Sequence, residues 1–166
     1  RINGKSVVVT FHPHPVQVLH PERFSSCLTT LPQRLKLIAS LGVDACWVIP
    51  FTKRFASTTP GDFVKKILMG RLGLKRIVVG SDFHFGHDRS GAIRLLMAQG
   101  RLRGFTVEAS SIKKKQNINI KSSVIRKKVE AGDVEGAAAL LGRFYSLHGR
   151  VVHGDGRGRR LGFPTA

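Results

Sequence analysis

Two stretches of this sequence carry residues able to hold an anion or a flat ring at spacings that fold into a site. Gly80 to Gly91 reads G-S-D-F-H-F-G-H-D-R-S-G. It follows the apolar run Ile77-Val78-Val79 and precedes a helical pattern. That order, strand, glycine-rich turn, helix, places ligands at the carboxyl ends of a parallel sheet. Asp82 and Arg89 are candidates to bind or orient a ligand, and Phe83 and Phe85 offer flat apolar faces. Gly80, Gly86 and Gly91 permit positive φ or a close backbone approach. The competing reading is a surface loop whose glycines only turn the chain. The second stretch is Ile120 to Arg126, I-K-S-S-V-I-R. With Ser122 as N-cap, a helix would run to Ala131 and stop at Gly132. Its first turn offers unpaired N–H groups and a partial positive charge, the chemistry of a phosphate site. The Ser122 and Ser123 hydroxyls add donors, and Arg126 lies at i+4 from Ser122, on the same face. An ordinary capped helix with an exposed arginine is the alternative.

His12-Pro13-His14-Pro15 forms a third candidate. Proline cannot donate to a ladder, so the strand before it must end here. Two histidines at i and i+2 share a side of an extended chain, which makes a metal site conceivable. No carboxylate or cysteine follows at close spacing, and a stiff proline wall for a pocket, or a rigid strand exit, fits the residues better.

The elements that must position these groups alternate. Lys5 to Phe11 is a β-branched, apolar run of the buried-strand type. Thr30 to Leu41 reads as a helix: Thr30 and Gln33 form a capping-box pattern, Leu31, Leu35 and Ile38 a buried stripe, and Gly42 the stop. Asp44 to Phe51 is the next strand. Thr59-Pro60 opens a second helix with Phe63, Val64, Ile67 and Leu68 inward, ended by Gly70 or Gly73. Lys75 to Gly80 is a strand. Ser90 is expected to cap a third helix through Met97, with Gly100 past its end, and Phe105 to Ala109 is a further strand. Strands alternating with helices imply parallel pairing with right-handed crossovers. Lys113 to Asn119 reads as a polar loop. Asp133 opens a short alanine-rich helix closed by Gly142. Beyond it the texture changes, with strand-like alternation over Leu147 to His153 and then a run of glycine and arginine. A domain boundary is expected near Arg143, and about twenty residues cannot bury a core alone.

The 166 residues carry a formal charge of +18. Lys113-Lys114-Lys115, Arg126-Lys127-Lys128 and Arg157 to Arg160 concentrate it. Such a surface favours anionic partners, nucleic acid or phosphorylated small molecules. No apolar run approaches the ~20 residues that span a bilayer, and the opening R-I-N-G-K-S is not a secretory signal. Cys27 and Cys46 form neither a disulfide framework nor a zinc spacing. A reducing cytoplasm fits them.

Together these pieces resemble the bifunctional bacterial riboflavin kinase/FMN adenylyltransferase, or prokaryotic FAD synthetase, family. Phe11 to Pro15 resembles its F-x-P-H-P, Gly80 to Gly91 its G-x-D-F-x-F-G-x-x-R-x-G, and Ile120 to Arg126 its I-S-S-T-x-I-R. Leu141 to Tyr145 resembles its L-G-R-P-Y junction, and G-R-V-V-H-G-D-G-R-G-R-R-L-G-F-P-T-A the opening of its riboflavin kinase domain. The resemblance implies an α/β fold: a Rossmann-like nucleotidyltransferase parallel sheet with helices on both faces over residues 1–142, then the start of a riboflavin kinase β-barrel over 143–166. It implies phosphorylation of riboflavin to FMN with ATP and transfer of AMP from a second ATP onto FMN. The products are FAD and pyrophosphate, and magnesium serves both reactions. Ser122, Ser123 and Arg126 would hold ATP phosphates. Pro13, Pro15, Asp82, Phe83 and Phe85 would shape the flavin side. Thr165 would help bind magnesium and ATP in the kinase. The expected partners are nucleotides and flavins, not nucleic acid or membrane, and the expected compartment is the cytoplasm.

The sequence departs from the family's pattern at Lys121 and Ser123, at Ala92, and at Phe144, where the junction carries proline. The family's first strand and its G-x-F-D-G-x-H-x-G-H segment are expected upstream of Arg1, and the kinase's catalytic glutamate beyond Ala166. The chain is therefore expected to be an interior fragment that turns over neither riboflavin nor FMN alone. Three rival readings differ in partner: a related nucleotidyltransferase with another substrate, a basic nucleic-acid-binding module, and a metal-dependent hydrolase using His12, His14, His84, His87 and Asp88. No zinc-finger spacing, heptad or aromatic-basic signature supports the second.

Overall fold

A computed structural model describes residues 3–111, 114, 115, 118–150, 152–154 and 156–162. Strand β1 (Val7–His12) is the β-branched run VVVTFH, and it ends where the prolines begin. Pro15 then starts the short helix α1 (Pro15–Leu19). Helix α2 (Leu31–Ala39) is opened by the capping box: Thr30 Oγ1 accepts from the Gln33 amide at 3.4 Å, and Gln33 Oε1 accepts from the Thr30 amide at 2.8 Å. It leads to β2 (Ala45–Pro50), which pairs with β1 in parallel, Val7 opposite Ala45 and His12 opposite Pro50. The Asp44 carboxylate locks the start of this pair, accepting from the Ser6 amide at 2.7 Å and its hydroxyl at 2.6 Å. Those bonds hold the Asp44 carboxyl below the usual aspartate range.

After α3 (Lys53–Ala56), Thr59 caps α4 (Pro60–Asp62), which runs on as a π-helix over Phe63–Met69. Strand β3 (Arg76–Gly80) pairs in parallel with β6 (Thr106–Ser110). The crossover between them holds a short antiparallel pair, β4 (His84–Phe85) with β5 (Gly91–Ala92), and helix α5 (Ile93–Arg103). The main core lies here: Phe63, Val64, Leu68, Phe85, Leu96 and Phe105 are buried together. Strands β7 (Lys114–Lys115) and β8 (Ile118–Asn119) pair antiparallel. Helices α6 (Ser122–Glu130) and α7 (Val134–Leu141) pack through Ile125, Ala137 and Leu140, with Leu28 against the same cluster. Past Gly142 the one regular element among the described residues is α8 (Arg157–Arg160).

Several expectations are corrected. In place of one continuous sheet there are two parallel two-stranded sheets, β1–β2 and β3–β6. The backbone carbonyls of Ser6 and His12 bond toward β2, so period-two alternation turns Val7, Val9 and Phe11 toward the opposite edge. Likewise Lys75 and Ser81 bond toward β6, which turns Arg76, Val78 and Gly80 outward. No strand among the described residues bonds to either outer edge. Among the described residues no helix covers the Val78 side of β3, where Val78 is 57% exposed. Ser90 does not cap α5, because Gly91 and Ala92 are held as a strand against Phe85 and His84, and Ala92 becomes the N-cap. Gly100 lies inside that helix. A Cβ there would sit 2.6 Å from the Phe105 carbonyl, so the missing side chain lets the next strand close on the helix. The helix ends instead at Gly104, with φ 77°. Part of the expected loop at Lys113 to Asn119 is the β7–β8 pair. The alternation over Leu147 to His153 gives no strand among its described residues.

Candidate functional site

The loop after β3 is pinned from below. The His87 amide donates to the Thr58 carbonyl at 2.8 Å. Gly86, at φ 75°, passes so close to Pro60 that a Cβ would meet its ring at 2.6 Å. The Phe85 ring is buried in the core against Phe63, centroids 5.6 Å apart. Phe83 stacks on Phe85 at 5.6 Å and 17° and remains half-buried. Of the two flat faces expected for a ligand, Phe83 is the one near the surface, and Phe85 holds it from behind. His84 Nδ1 lies 2.9 Å from the Asp82 carbonyl oxygen. A carbonyl only accepts, so this nitrogen carries the proton, and the Arg89 guanidinium 3.4 Å away is a neighbour rather than a donor to it. Asp88 and Arg89 both adopt left-handed backbone, φ 52° and 56°. Strained non-glycine residues of this kind cluster at functional loops.

Helix α6 differs from expectation in its cap. Lys121, not Ser122, is the N-cap, and no side chain bonds to the first-turn amides. Ser122 and Ser123 thus occupy the exposed first positions, with the helix end free of a side-chain cap. That is the condition for anion binding stated by the partial positive charge there. Lys121 Nζ lies 3.8 Å from Asp82 Oδ2. The pair is exposed and worth little energetically. Its value is positional: it sets the loop after β3 beside the start of α6, so the two stretches singled out by sequence open onto one region.

The proline segment follows β1. Pro13 follows a cis peptide bond, and Pro15 occupies the first turn of α1. His14 caps α1, with Nδ1 accepting from the Val16 amide at 3.2 Å. Partial burial, then the charges of Arg34 and Arg126, lower the His14 pKa from 6.5. The ring is therefore neutral at pH 7, with Nε2 carrying the proton. Arg126 Nε is buried with no hydrogen-bond partner. Arg34 was not singled out in the sequence. Its Nη1 donates to Thr10 Oγ1 at 3.4 Å and to the Phe11 carbonyl at 3.3 Å, at the carboxyl end of β1. The available signal was a cation on an apolar stripe, at i+3 from Leu31 and beside Leu35.

Among the described residues no three His, Cys, Asp or Glu side chains group as metal ligands. Thr165 lies outside the described residues. Ala92 contributes to β5, and Phe144 is 89% exposed.

Comparison with known proteins gives the same direction. The FAD synthetase family matches residues 1–124, and the riboflavin kinase family matches residues 141–166. A bifunctional riboflavin kinase/FMN adenylyltransferase of Buchnera aphidicola subsp. Schizaphis graminum is 40% identical over 165 residues, covering 99% of this chain and 53% of the relative. The Escherichia coli K12 protein of that name is 34% identical, covering 96% and 51%, and the Bacillus subtilis one is 37% identical, covering 96% and 50%. A crystal structure titled macrolide-efflux protein from Streptococcus pneumoniae matches with TM-score 0.80 at 30% identity, over 95% of this chain and 51% of that one. The chain spans about half the length of the curated relatives it matches. Since the first match runs through the sheets, the loop after β3 and the opening of α6, this chain belongs to the FAD synthetase family.

Proposed function

We propose that this chain serves FAD biosynthesis, binding ATP and FMN in one cleft between the loop after β3 and the start of α6. The observation that carries the reading is the approach of Lys121 to Asp82, which puts a candidate phosphate site next to a candidate ring site. In the reaction a phosphate oxygen of FMN attacks the α-phosphorus of ATP, the bond to pyrophosphate breaks, and FAD forms. Such chemistry asks the protein mainly to position groups and neutralise charge. Ser122, Ser123 and Arg126 bind the ATP phosphates through amides, hydroxyls and a guanidinium with an unused Nε–H. Phe83 packs against the isoalloxazine, Pro13 and Pro15 form a rigid wall, and Asp82 orients the flavin. Phe85 acts indirectly by holding Phe83.

Magnesium supplies charge neutralisation on the phosphates when bound. Among the described residues no three His, Cys, Asp or Glu side chains group as ligands; an ion of this kind is held largely by phosphate and water. The division near Arg143, a riboflavin kinase domain beyond it with Thr165 at its ATP and magnesium site, and phosphorylation of riboflavin belong to the whole protein. The efflux title is that of the structural neighbour; among the described residues no helix is long and apolar enough to cross a membrane.

The test is a fluorescence titration of FMN with the purified chain, with and without ATP. Quenching of the flavin, lost in Asp82→Ala together with Phe83→Ala, is the expected result. No quenching at millimolar ATP overturns the reading.

A further inference from the structure

Two guanidinium groups near β1 and α6 are partly buried without a counter-ion. Among the described residues neither Arg34 nor Arg126 has a carboxylate within salt-bridge distance. Every partner of Arg34 is neutral: Thr10 Oγ1, the Phe11 carbonyl, and Cys27 Sγ at 3.8 Å, all at the long end of their range. A cation taken from water without a compensating charge is unfavourable, unless the compensating charge arrives as a ligand.

Arg34 and Arg126 are linked through packed neighbours and through His14. Arg34 touches Cys27, and the next residue, Leu28, packs on the cluster that contains Ile125, the neighbour of Arg126. His14 lies near both, for the charges of both act on its ring. A neutral imidazole near the two cations adds a donor and no repulsion toward an anion. Two separated guanidiniums suit an extended polyanion better than a single phosphate, because each fork binds its own pair of oxygens.

We propose that Arg34 is a second phosphate-binding residue, holding with Arg126 the polyphosphate tail of the nucleotide. This rests on the reading of α6 as the phosphate site and extends it to a residue of α2. Arg34 thereby couples the end of β1, through Thr10 and Phe11, to the occupancy of the nucleotide site.

The experiment uses inorganic tripolyphosphate as probe and calorimetry on the 166-residue chain. Arg34→Gln and Arg126→Gln are each expected to weaken binding about 10-fold or more, the size of a lost charge-assisted hydrogen bond, and Arg34→Lys to recover part of the loss. A second measurement needs no variant. Phenylglyoxal modification of the wild-type chain, mapped by mass spectrometry, should label Arg34 without tripolyphosphate and spare it at saturation. A structural arginine would show no such ligand-dependent protection. Weakening by Arg126→Gln alone, with Arg34 labelled equally in both conditions, overturns the role of Arg34 and leaves the phosphate reading intact. Absence of tripolyphosphate binding, or binding indifferent to both variants, overturns both.

Discussion

The stretch from β1 to Gly142 and the stretch after it are built from similar residues and end differently. In the first, Val64 and Leu96 are fully buried and lie in one six-residue core. In the second, Phe144, Leu147, Val152 and Leu161 are all more than 70% exposed. The difference shows that apolar alternation makes a strand only where a partner surface accepts it. Leu147 and Val152 have none among the described residues, while Ile77 and Val79 have both β6 and the core.

The contrast should be sharpest in core truncations. Leu96→Ala or Phe63→Ala is expected to cost about 3–5 kcal/mol in urea unfolding, whereas Leu147→Ala should stay within about 0.5 kcal/mol. Equal losses in the two regions would break the comparison. Gly86→Ala comes next, at about 2–4 kcal/mol, because positive φ and the contact with Pro60 act together. Thr30→Ala removes one half of a capping box and should cost about 1 kcal/mol. The smallest effect is a titration. His14 followed by NMR should titrate below 6.5, where burial and the two arginines place it. The sign follows: a histidine whose folded pKa is depressed favours the folded chain above the unfolded pKa, and that contribution is lost as pH falls through the folded value. Neutralising Arg34 or Arg126 should move the His14 midpoint upward.

Local signals were legible in the sequence. The Thr30 capping box, the Thr59-Pro60 helix start and the Gly142 stop follow from residues acting within a turn or two. Errors arose where distant contacts decide. Ser90 lost its cap to the pairing of Gly91 with Phe85, and Gly100 entered the helix because Phe105 closes over it. The break into two sheets follows from pairing between strands, which no local period encodes. The site shows the same division. Asp82 and Ser122 carry motif signals, but the link between their stretches is the ion pair of Lys121 with Asp82, residues far apart in the chain. Phe85 looked like a ligand face by type, and packing made it core. Arg34 is hard to read from sequence because its partners, Thr10 and Cys27, come from other elements.

The most direct test of the single cleft is amide NMR of the chain titrated with ATP and FMN together. The account predicts that the resonances of Asp82 to Phe85 and of Lys121 to Arg126 shift in concert, saturating at the same ligand concentration. Response of one group while the other stays fixed, or saturation at unrelated concentrations, would contradict it.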